Sequence, residues 1–438
     1  MNIYFSGIGG VGIGPLAQIS LDAGHSVFGS DLQASPLTEQ LEALGAKVTI
    51  GQDGSFLEEI NKNHALDWFV HTAALPPTHP ELQLAKKLGI RTAKRDELLA
   101  ELLKVHKLKL LAVAGTHGKT TTTGMLVWAF KQLGVPVSYS VGTTLSFGKS
   151  GEFNPSSQYF VYECDEFDRN FLHFYPEMSL ITSIDYDHPD TYPTPESYKQ
   201  AFIQYLGQSQ QSIIWQRDID FIGGTEQAAK LAPNSSIKVM PGTASLPNNI
   251  AGLHNRQNAA LVIEALVSLN LASEKKAKEI LASFPGTDRR FQQLLPGLYS
   301  DYGHHPVEIA ATLQLASEIS SQVVLVYQPH QNIRQHEIQG LYVDSVFEKA
   351  YEIYWLPTYL SREDPLLEVL TPKQLSAGLS RPKLHFGELN DELWAKICQA
   401  TAAGKLVICM GAGTIDGWLR NMISSHQTQE VLGSKDRR

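Results

Sequence analysis

The feature that most constrains this chain is a series of short apolar runs, each ending in glycine, an acid or a histidine. NIYFSGIGG, HSVFGSD, DWFVHTAA, KLLAVAGTHG, YFVYECDE, SLITSIDYDH, SIIWQRD, QVVLVYQPH and KLVICMGAG all read this way, and a helical pattern follows most of them. Runs rich in β-branched and aromatic residues, alternating with helices, argue for parallel sheets covered on both faces. In such sheets ligands collect beyond the carboxyl ends of the strands. Catalytic polar residues are therefore expected where the runs end.

With 438 residues, the chain has room for about two to four domains, and three is the natural count. The charged helical segment KRDELLAELLKVHKLK precedes a new strand, and Pro285 and Gly286 interrupt a helix ending around Ser283. These breaks place the domains at 1–106, 107–284 and 285–438. The net charge of −9 is spread without a Lys/Arg cluster, so nucleic acid is not an expected partner. No apolar run approaches the roughly 18 residues of a membrane span. Cys164, Cys398 and Cys409 show neither CxxC spacing nor a paired framework, which suits the reducing cytoplasm.

Directly after the run KLLAV comes AGTHGKTTTTGM. A standard phosphate loop, GxxxxGK[ST], needs glycine at position 113, where Val113 stands; the shorter Gly115-Thr116-His117-Gly118-Lys119-Thr120 keeps the working parts. Glycines let backbone N–H groups approach phosphate oxygens, Lys119 neutralises their charge, and Thr120 or Thr121 can reach a magnesium ion. Glu163, Asp165 and Glu166 end the next apolar run, and Asp187 and His188 end the one after. Carboxylates and an imidazole on the same rim as the loop suit a divalent cation bridging a nucleotide and an anionic acceptor.

At the amino terminus Gly7, Gly9, Gly10, Val11 and Gly12 form a GxGxxG turn, and Asp31 ends the following strand. This turn supports a diphosphate at a helix amino end, whether of NAD or of a nucleotide sugar. In the last third, DYGHHP and QPHQNIR bring histidines together. Lacking a third ligand in register, they read more readily as hydrogen-bonded loops than as a metal site. Arg289 and Arg290, near the Pro285–Gly286 break, read either as a surface pair or as a clamp on a γ-phosphate when domains close.

Taken in order, FSGIGGVGIGPLA, GSD, AGTHGKTTTTGML, ECDEFDRNFLHFYP, DYDHPDTY, LHNRQNAA, GTDRRF, DYGHHPVE and QPH resemble the Mur ligases of peptidoglycan synthesis, over nearly the whole chain. The resemblance implies three α/β domains: a Rossmann-like first domain for a UDP-sugar, a central P-loop ATPase-like domain for ATP, and a Rossmann-like last domain for the amino acid. It implies an ATP- and Mg2+-dependent amide ligase joining L-alanine to UDP-N-acetylmuramate through an acyl phosphate, working in the cytoplasm as a monomer or homodimer, without membrane insertion.

By the same resemblance, Gly115, Thr116, His117, Gly118, Lys119, Thr120 and Thr121 hold the ATP phosphates, Asn255 the adenine and Arg290 the γ-phosphate, while Asp301 contacts nucleotide. Thr120, Glu163 and His188 hold metal. Gly7 to Gly12, with Asp31, hold the UDP-sugar. His304, His330 and Arg334 line the amino-acid pocket, with His304 a candidate base by position. Two departures stand out: QPHQNIR places Gln331 where the family's QPHRYxR has an arginine, and ECDEFD replaces EADESD. Other readings stay open: a ligase recycling a preformed tripeptide onto the same sugar nucleotide, a nicotinamide-dependent oxidoreductase that would explain only GIGGVG, and a non-catalytic nucleotide-binding protein.

Overall fold

All of the apolar runs become strands, and they assemble into three sheets. The computed structural model describes residues 1–435 except 11, 73–74, 189–190, 232, 234, 243–245, 362 and 381. The first sheet holds β1 (Asn2–Ser6), β2 (Ser26–Asp31), β3 (Lys47–Ile50), β4 (Trp68–His71) and β5 (Arg91–Lys94), all parallel in the order β3-β2-β1-β4-β5. The second holds β6 (Lys109–Ala114), β7 (Val137–Ser140), β8 (Gly151–Glu152), β9 (Tyr159–Glu163), β10 (Met178–Ile181), β11 (Gln211–Trp215) and β12 (Ser236–Met240). Their order is β12-β11-β10-β6-β9-β7-β8, with only the β7–β8 pair antiparallel.

The third sheet holds β13 (Gln292–Leu295), β14 (Leu298–Asp301), β15 (Val323–Tyr327), β16 (Glu352–Trp355), β17 (Leu384–Phe386) and β18 (Leu406–Met410), in the order β13-β14-β18-β15-β16-β17. Only the β13–β14 pair is antiparallel. Central strands such as β10, β15 and β18 are buried along their whole length, as expected of strands covered on both faces. Edge strands β3 and β17 carry exposed positions instead.

Each sheet falls within one of the three segments expected from sequence, giving a three-domain α/β architecture. The chain packs as two compact units, one of residues 1–247 with 257–285 and the other of 248–256 with 286–438. The first two sheets therefore share one unit. Residues 248–256, expected in the central domain, pack with the last. One apolar core runs through both sheets of the first unit, from Phe5 and Leu99 to Phe160, Tyr162 and Phe202. Polar links join the two sheets as well: Tyr162 Oη donates to Asp96 at 2.6 Å, and Lys94 pairs with Asp168.

Helix Lys119–Gln132 follows β6 and opens with four threonines, residues of modest helix propensity because their branched side chains lose freedom against the preceding turn. Burial and back-bonding offset this. Thr122 and Thr123 hydroxyls donate to the Gly118 and Lys119 carbonyls, both at 2.9 Å, and Met125 to Val127, Ala129 and Phe130 are buried.

Candidate functional site

The amino-terminal glycine turn is shaped from within. Gly7 has φ +79°, and its N–H and that of Ile8 donate to the Ser30 carbonyl. Gly9 N–H donates to Asp31 Oδ2 at 2.8 Å, and a Cβ on Gly9 would come within 3.0 Å of that oxygen. Asp31, expected beside a sugar nucleotide, thus has a direct part in holding the loop. Gly10 lies close against the Gly7 carbonyl, and Gly12 faces Arg95; Val11 lies outside the described residues. Below the turn, buried Glu81 accepts from Tyr4, Ser6 and Ser30 hydroxyls at 2.6 to 2.8 Å, tying the carboxyl ends of β1 and β2 together.

Past β6 the phosphate loop turns on two glycines, Gly115 at φ +130° and Gly118 at φ +86°. Both positions exclude a side chain: a Cβ on Gly115 would lie 2.7 Å from the Ser183 carbonyl, and one on Gly118 would lie 2.8 Å from Asn258 Oδ1. Thr116 N–H donates to the Ser183 carbonyl, His117 N–H to Ser183 Oγ, and Thr116 Oγ1 bonds Tyr198 Oη at 2.8 Å. The loop is therefore braced by the end of β10 and by helix Pro195–Gln208.

Lys119 Nζ donates to the Gly115 carbonyl at 2.7 Å and to Glu166 Oε2 at 2.6 Å, with Asp165 Oδ1 at 3.7 Å. Glu166 is fully buried. Burial alone would lower the Lys119 pKa, but Glu166 and then Asp165 overcome it and hold the ammonium above its usual range. Burial pushes the Glu166 carboxyl up, against the pull of Lys119. Asp165 goes the other way: Lys119 and the Phe167 N–H outweigh its burial and hold it below the usual carboxylate range. A charge out of water is stable only when paired and hydrogen-bonded, and the Lys119 ammonium meets both conditions through Glu166 Oε2 and the Gly115 carbonyl.

Donor atoms of Asp165, Glu166 and His188 lie within 4.8 Å of one another. Glu166 Oε1 is buried without a hydrogen-bond partner, and His188 Nε2 stands 3.8 Å from it. An unsatisfied buried carboxylate oxygen is costly, and a divalent cation with oxygen and nitrogen ligands would satisfy it, so the residues present fit such an ion. His188 is held at φ +58°, an uncommon conformation for a non-glycine residue. Glu163 is placed differently: its Oε1 accepts from Thr120 Oγ1 at 2.8 Å and its Oε2 from Gly142 N–H at 2.9 Å.

The second unit carries its own cluster at the carboxyl ends of β14, β15 and β18. Arg289 and Arg290 both lie over the Tyr302 ring, with centroid distances of 4.6 and 5.1 Å, and Arg290 stands 3.9 Å from Glu308. Asp301 accepts from the N–H groups of Phe291 and Gly303, yet burial prevails and pushes its carboxyl up to about 6. His304 packs edge-on to His330, which stacks on Tyr359. Burial lowers the His304 pKa to about 4 despite nearby Glu308, so the ring is neutral at physiological pH. Gln331 sits at φ +59° before the short helix Asn332–Ile338, which carries Arg334. Asn255 donates to the Ala251 carbonyl, and its neighbour Arg256 forms a two-point pair with Glu318.

Residues 2–107 match the family model described as Mur ligase family, catalytic domain, and residues 113–239 match the Mur ligase middle domain. The UDP-N-acetylmuramate–L-alanine ligase of Coxiella burnetii is 31% identical over 97% of this chain and 98% of its own length. That of Burkholderia thailandensis is 32% identical over 95% and 96%. The chain belongs to the Mur ligase family.

The fold of this Mur ligase agrees with that of the UDP-N-acetylmuramate-alanine ligase from Thermotoga maritima, with TM-score 0.74 at 22% identity, covering 98% of this chain and all of the other. A murein peptide ligase from Psychrobacter arcticus shares the fold at TM-score 0.67 and 23% identity, over 97% and 98% of the two chains. Within this Mur ligase, Lys119, Thr120, Glu163 and His188 gather on one rim, as their strand-end positions required. Sequence reasoning missed the bracing residues Ser183, Tyr198 and Asn258. Ser183 and Asn258 lie inside quoted motifs, SLITSIDYDH and LHNRQNAA, where polar residues next to a strand end or in a buried helix were the available signal. Tyr198 gave none, since a tyrosine in an apolar helical pattern reads as core.

Proposed function

We propose that this protein is an ATP-dependent carbon–nitrogen ligase that joins L-alanine to UDP-N-acetylmuramate. The observation that carries the reading is the Lys119 ammonium, set at the mouth of a glycine-built phosphate loop and ringed by Asp165, Glu166 and His188. The near full-length similarity to alanine-adding ligases supports the choice of substrates.

In this reading the sugar's carboxylate attacks the γ-phosphate of ATP, forming an acyl phosphate and releasing ADP. The amine of alanine then attacks the activated carbonyl, and inorganic phosphate leaves. The obstacle in the first step is repulsion between two anions. Backbone N–H groups of Gly115 to Thr121 and the Lys119 ammonium stabilise charge on the transferring phosphoryl group, and their fixed placement avoids reorganisation during the reaction. Arg290 adds a second cation for the γ-phosphate, Asn255 contacts the adenine and Asp301 the nucleotide. Gly7 to Gly12, with Asp31 behind them, hold the UDP diphosphate.

Asp165, Glu166 and His188, with Thr120 and Glu163 on the same rim, would hold Mg2+, which would supply positive charge to offset the negative charge of the phosphates. His304, His330 and Arg334 receive the amino acid. Neutral His304 can accept a hydrogen bond from the incoming alanine, although its burial makes it a weak base. The domains of these roles are 1–106 for the UDP-sugar, 107–284 for ATP and 285–438 for the amino acid. The enzyme works in the cytoplasm, as a monomer or homodimer. Among the described residues no helix is long and apolar enough to cross a membrane.

The acceptor is the part of the reading that Gln331 bears on, because a neutral amide cannot give an amino-acid carboxylate the charge-assisted pair that arginine gives; the rival acceptor is a preformed tripeptide. Phosphate release with UDP-N-acetylmuramate and ATP, offering L-alanine, other amino acids or the tripeptide, tests both readings. Release with L-alanine is expected; release only with the tripeptide would move the assignment, and none with any amine would end it.

A further inference from the structure

Between the first two sheets lies a cavity of about 170 Å³ lined on one side by Gly12, Leu16, Arg95 and Leu99, and on the other by Gly142, Tyr162, Glu163 and Asp165. It connects the end of the amino-terminal glycine turn to the acidic rim of the phosphate loop. Arg95 is the cation in its wall. Its Nε faces Asp96 at 3.3 and 3.4 Å, and Asp96 is itself occupied by the Tyr162 hydroxyl at 2.6 Å. Among the described residues, neither Nη1 nor Nη2 of Arg95 makes a hydrogen bond to protein. Nη1 lies beside Gly12, where a Cβ would come within 3.0 Å of it.

The guanidinium is thus fixed at its inner nitrogen and keeps its outer donors available toward a cavity of mixed lining, with Leu16 and Leu99 on one side and Glu163 and Asp165 on the other. Glu163 and Asp165 line the same cavity, so an anion held there has to lie against the guanidinium and away from these carboxylates. A planar guanidinium offers two parallel N–H donors, which match a carboxylate better than a single point charge does. Glu163 marks the end of the cavity nearest the phosphate loop, where a carboxylate awaiting phosphorylation has to lie.

Resting on the ligase reading above, we propose that Arg95 binds the carboxylate of the sugar-nucleotide substrate through Nη1 and Nη2 and so selects the acid-bearing sugar over its acid-free counterpart. Arg95 then bridges the two sheets functionally: the glycine turn holds the diphosphate, and Arg95 orients the reacting oxygen toward the phosphate loop. The acid-free nucleotide sugar loses this contact while keeping the diphosphate contacts.

The test is titration calorimetry of the full-length protein with UDP-N-acetylmuramate and with UDP-N-acetylglucosamine, which lacks the lactyl carboxylate, for wild type, Arg95→Gln and Arg95→Lys. Wild type is expected to prefer the acid-bearing ligand. Arg95→Gln should weaken that ligand by roughly tenfold to a hundredfold, the usual worth of hydrogen bonds to a charged group, leave UDP-N-acetylglucosamine unchanged, and leave ATP binding intact. Arg95→Lys, which keeps the charge beside Asp96, should recover part of the preference and reads the same contact if the glutamine variant fails to fold. Equal weakening of both sugars would show that Arg95 holds the diphosphate, and an undiminished preference in both variants would show that it holds neither; either result overturns the assignment. If wild type binds neither sugar nucleotide, the ligase reading itself fails, an outcome distinct from an Arg95 variant that behaves like wild type.

Discussion

The phosphate-loop cluster and the His304 cluster occupy the same kind of place, the carboxyl ends of parallel strands, but they handle charge in opposite ways. At the first, Lys119 is packed among acids and kept charged. At the second, burial wins: His304 is held neutral, and Asp301 is pushed up to about 6. A site that must oppose repulsion between phosphate and carboxylate needs permanent positive charge at a fixed point. In the proposed reading the second cluster receives an amino acid, where a neutral ring adds no positive charge to repel the acceptor's ammonium group. Similar scaffolds therefore acquire different chemistry from the balance between desolvation and nearby charge.

The comparison breaks most severely at Lys119. Lys119→Ala should cut turnover by roughly 10²–10³-fold or more in a phosphate-release assay, as expected for loss of a preorganised charge. The same change leaves Glu166 buried without its partner and should lower stability by about 2 kcal/mol in urea unfolding. Adding Glu166→Gln to Lys119→Met should restore most of the stability but none of the turnover. Full activity in the single variant would remove Lys119 from the site.

Next in size is the metal requirement. Glu163→Gln disturbs the Thr120 and Gly142 hydrogen bonds beside Asp165 and should raise the Mg2+ concentration for half-maximal rate by about 10–100-fold, the range seen when supporting groups of a metal site are changed. An unchanged magnesium titration would confine Glu163 to a structural role.

At the second cluster the pH dependence follows from His304. Its folded pKa is about 4 against the usual 6.5, so between these values the unfolded chain takes up a proton that the native ring refuses. Stability is then lost as pH falls through that window. Asp301 contributes the opposite sign, because its raised folded value means the native state takes up a proton below about pH 6 before the unfolded chain does. Removing the histidine isolates its share. His304→Asn should lose less stability than wild type between pH 7 and pH 5 in parallel urea unfolding, by a kcal/mol or two at most; identical losses would show that burial does not hold His304 neutral.

The smallest effect concerns the acceptor. Gln331→Arg restores the cation of the family motif without changing the demand on a backbone already at positive φ. It should lower the KM for the amino acid by about threefold to tenfold, with little change in the KM for ATP. No change in either constant would place residue 331 outside the acceptor pocket.

Much of this was legible from the order of residues. Fully apolar strands announce parallel sheets because no amphipathic alternation survives burial on both faces, and polar residues at the ends of those strands have only one rim on which to gather. Gly115 and Gly118 were readable because their backbone conformations and the neighbouring atoms leave no room for a Cβ. Less visible were the edge strands β3, β5 and β17, whose half-exposed composition resembles that of loops.

Local sequence, then, determined the strands, the two glycine turns and the placement of Lys119, Glu163 and His188 on a common rim, since each depends on backbone geometry within a few residues. The tertiary structure alone decided that Glu166, rather than its neighbours, takes the short contact with Lys119, that Arg95 faces a cavity shared by two sheets, and that residues 248–256 pack with the last sheet. Those outcomes turn on which distant side chains exclude water from a charge. Desolvation is a property of the assembled surroundings, and no stretch of chain carries it alone.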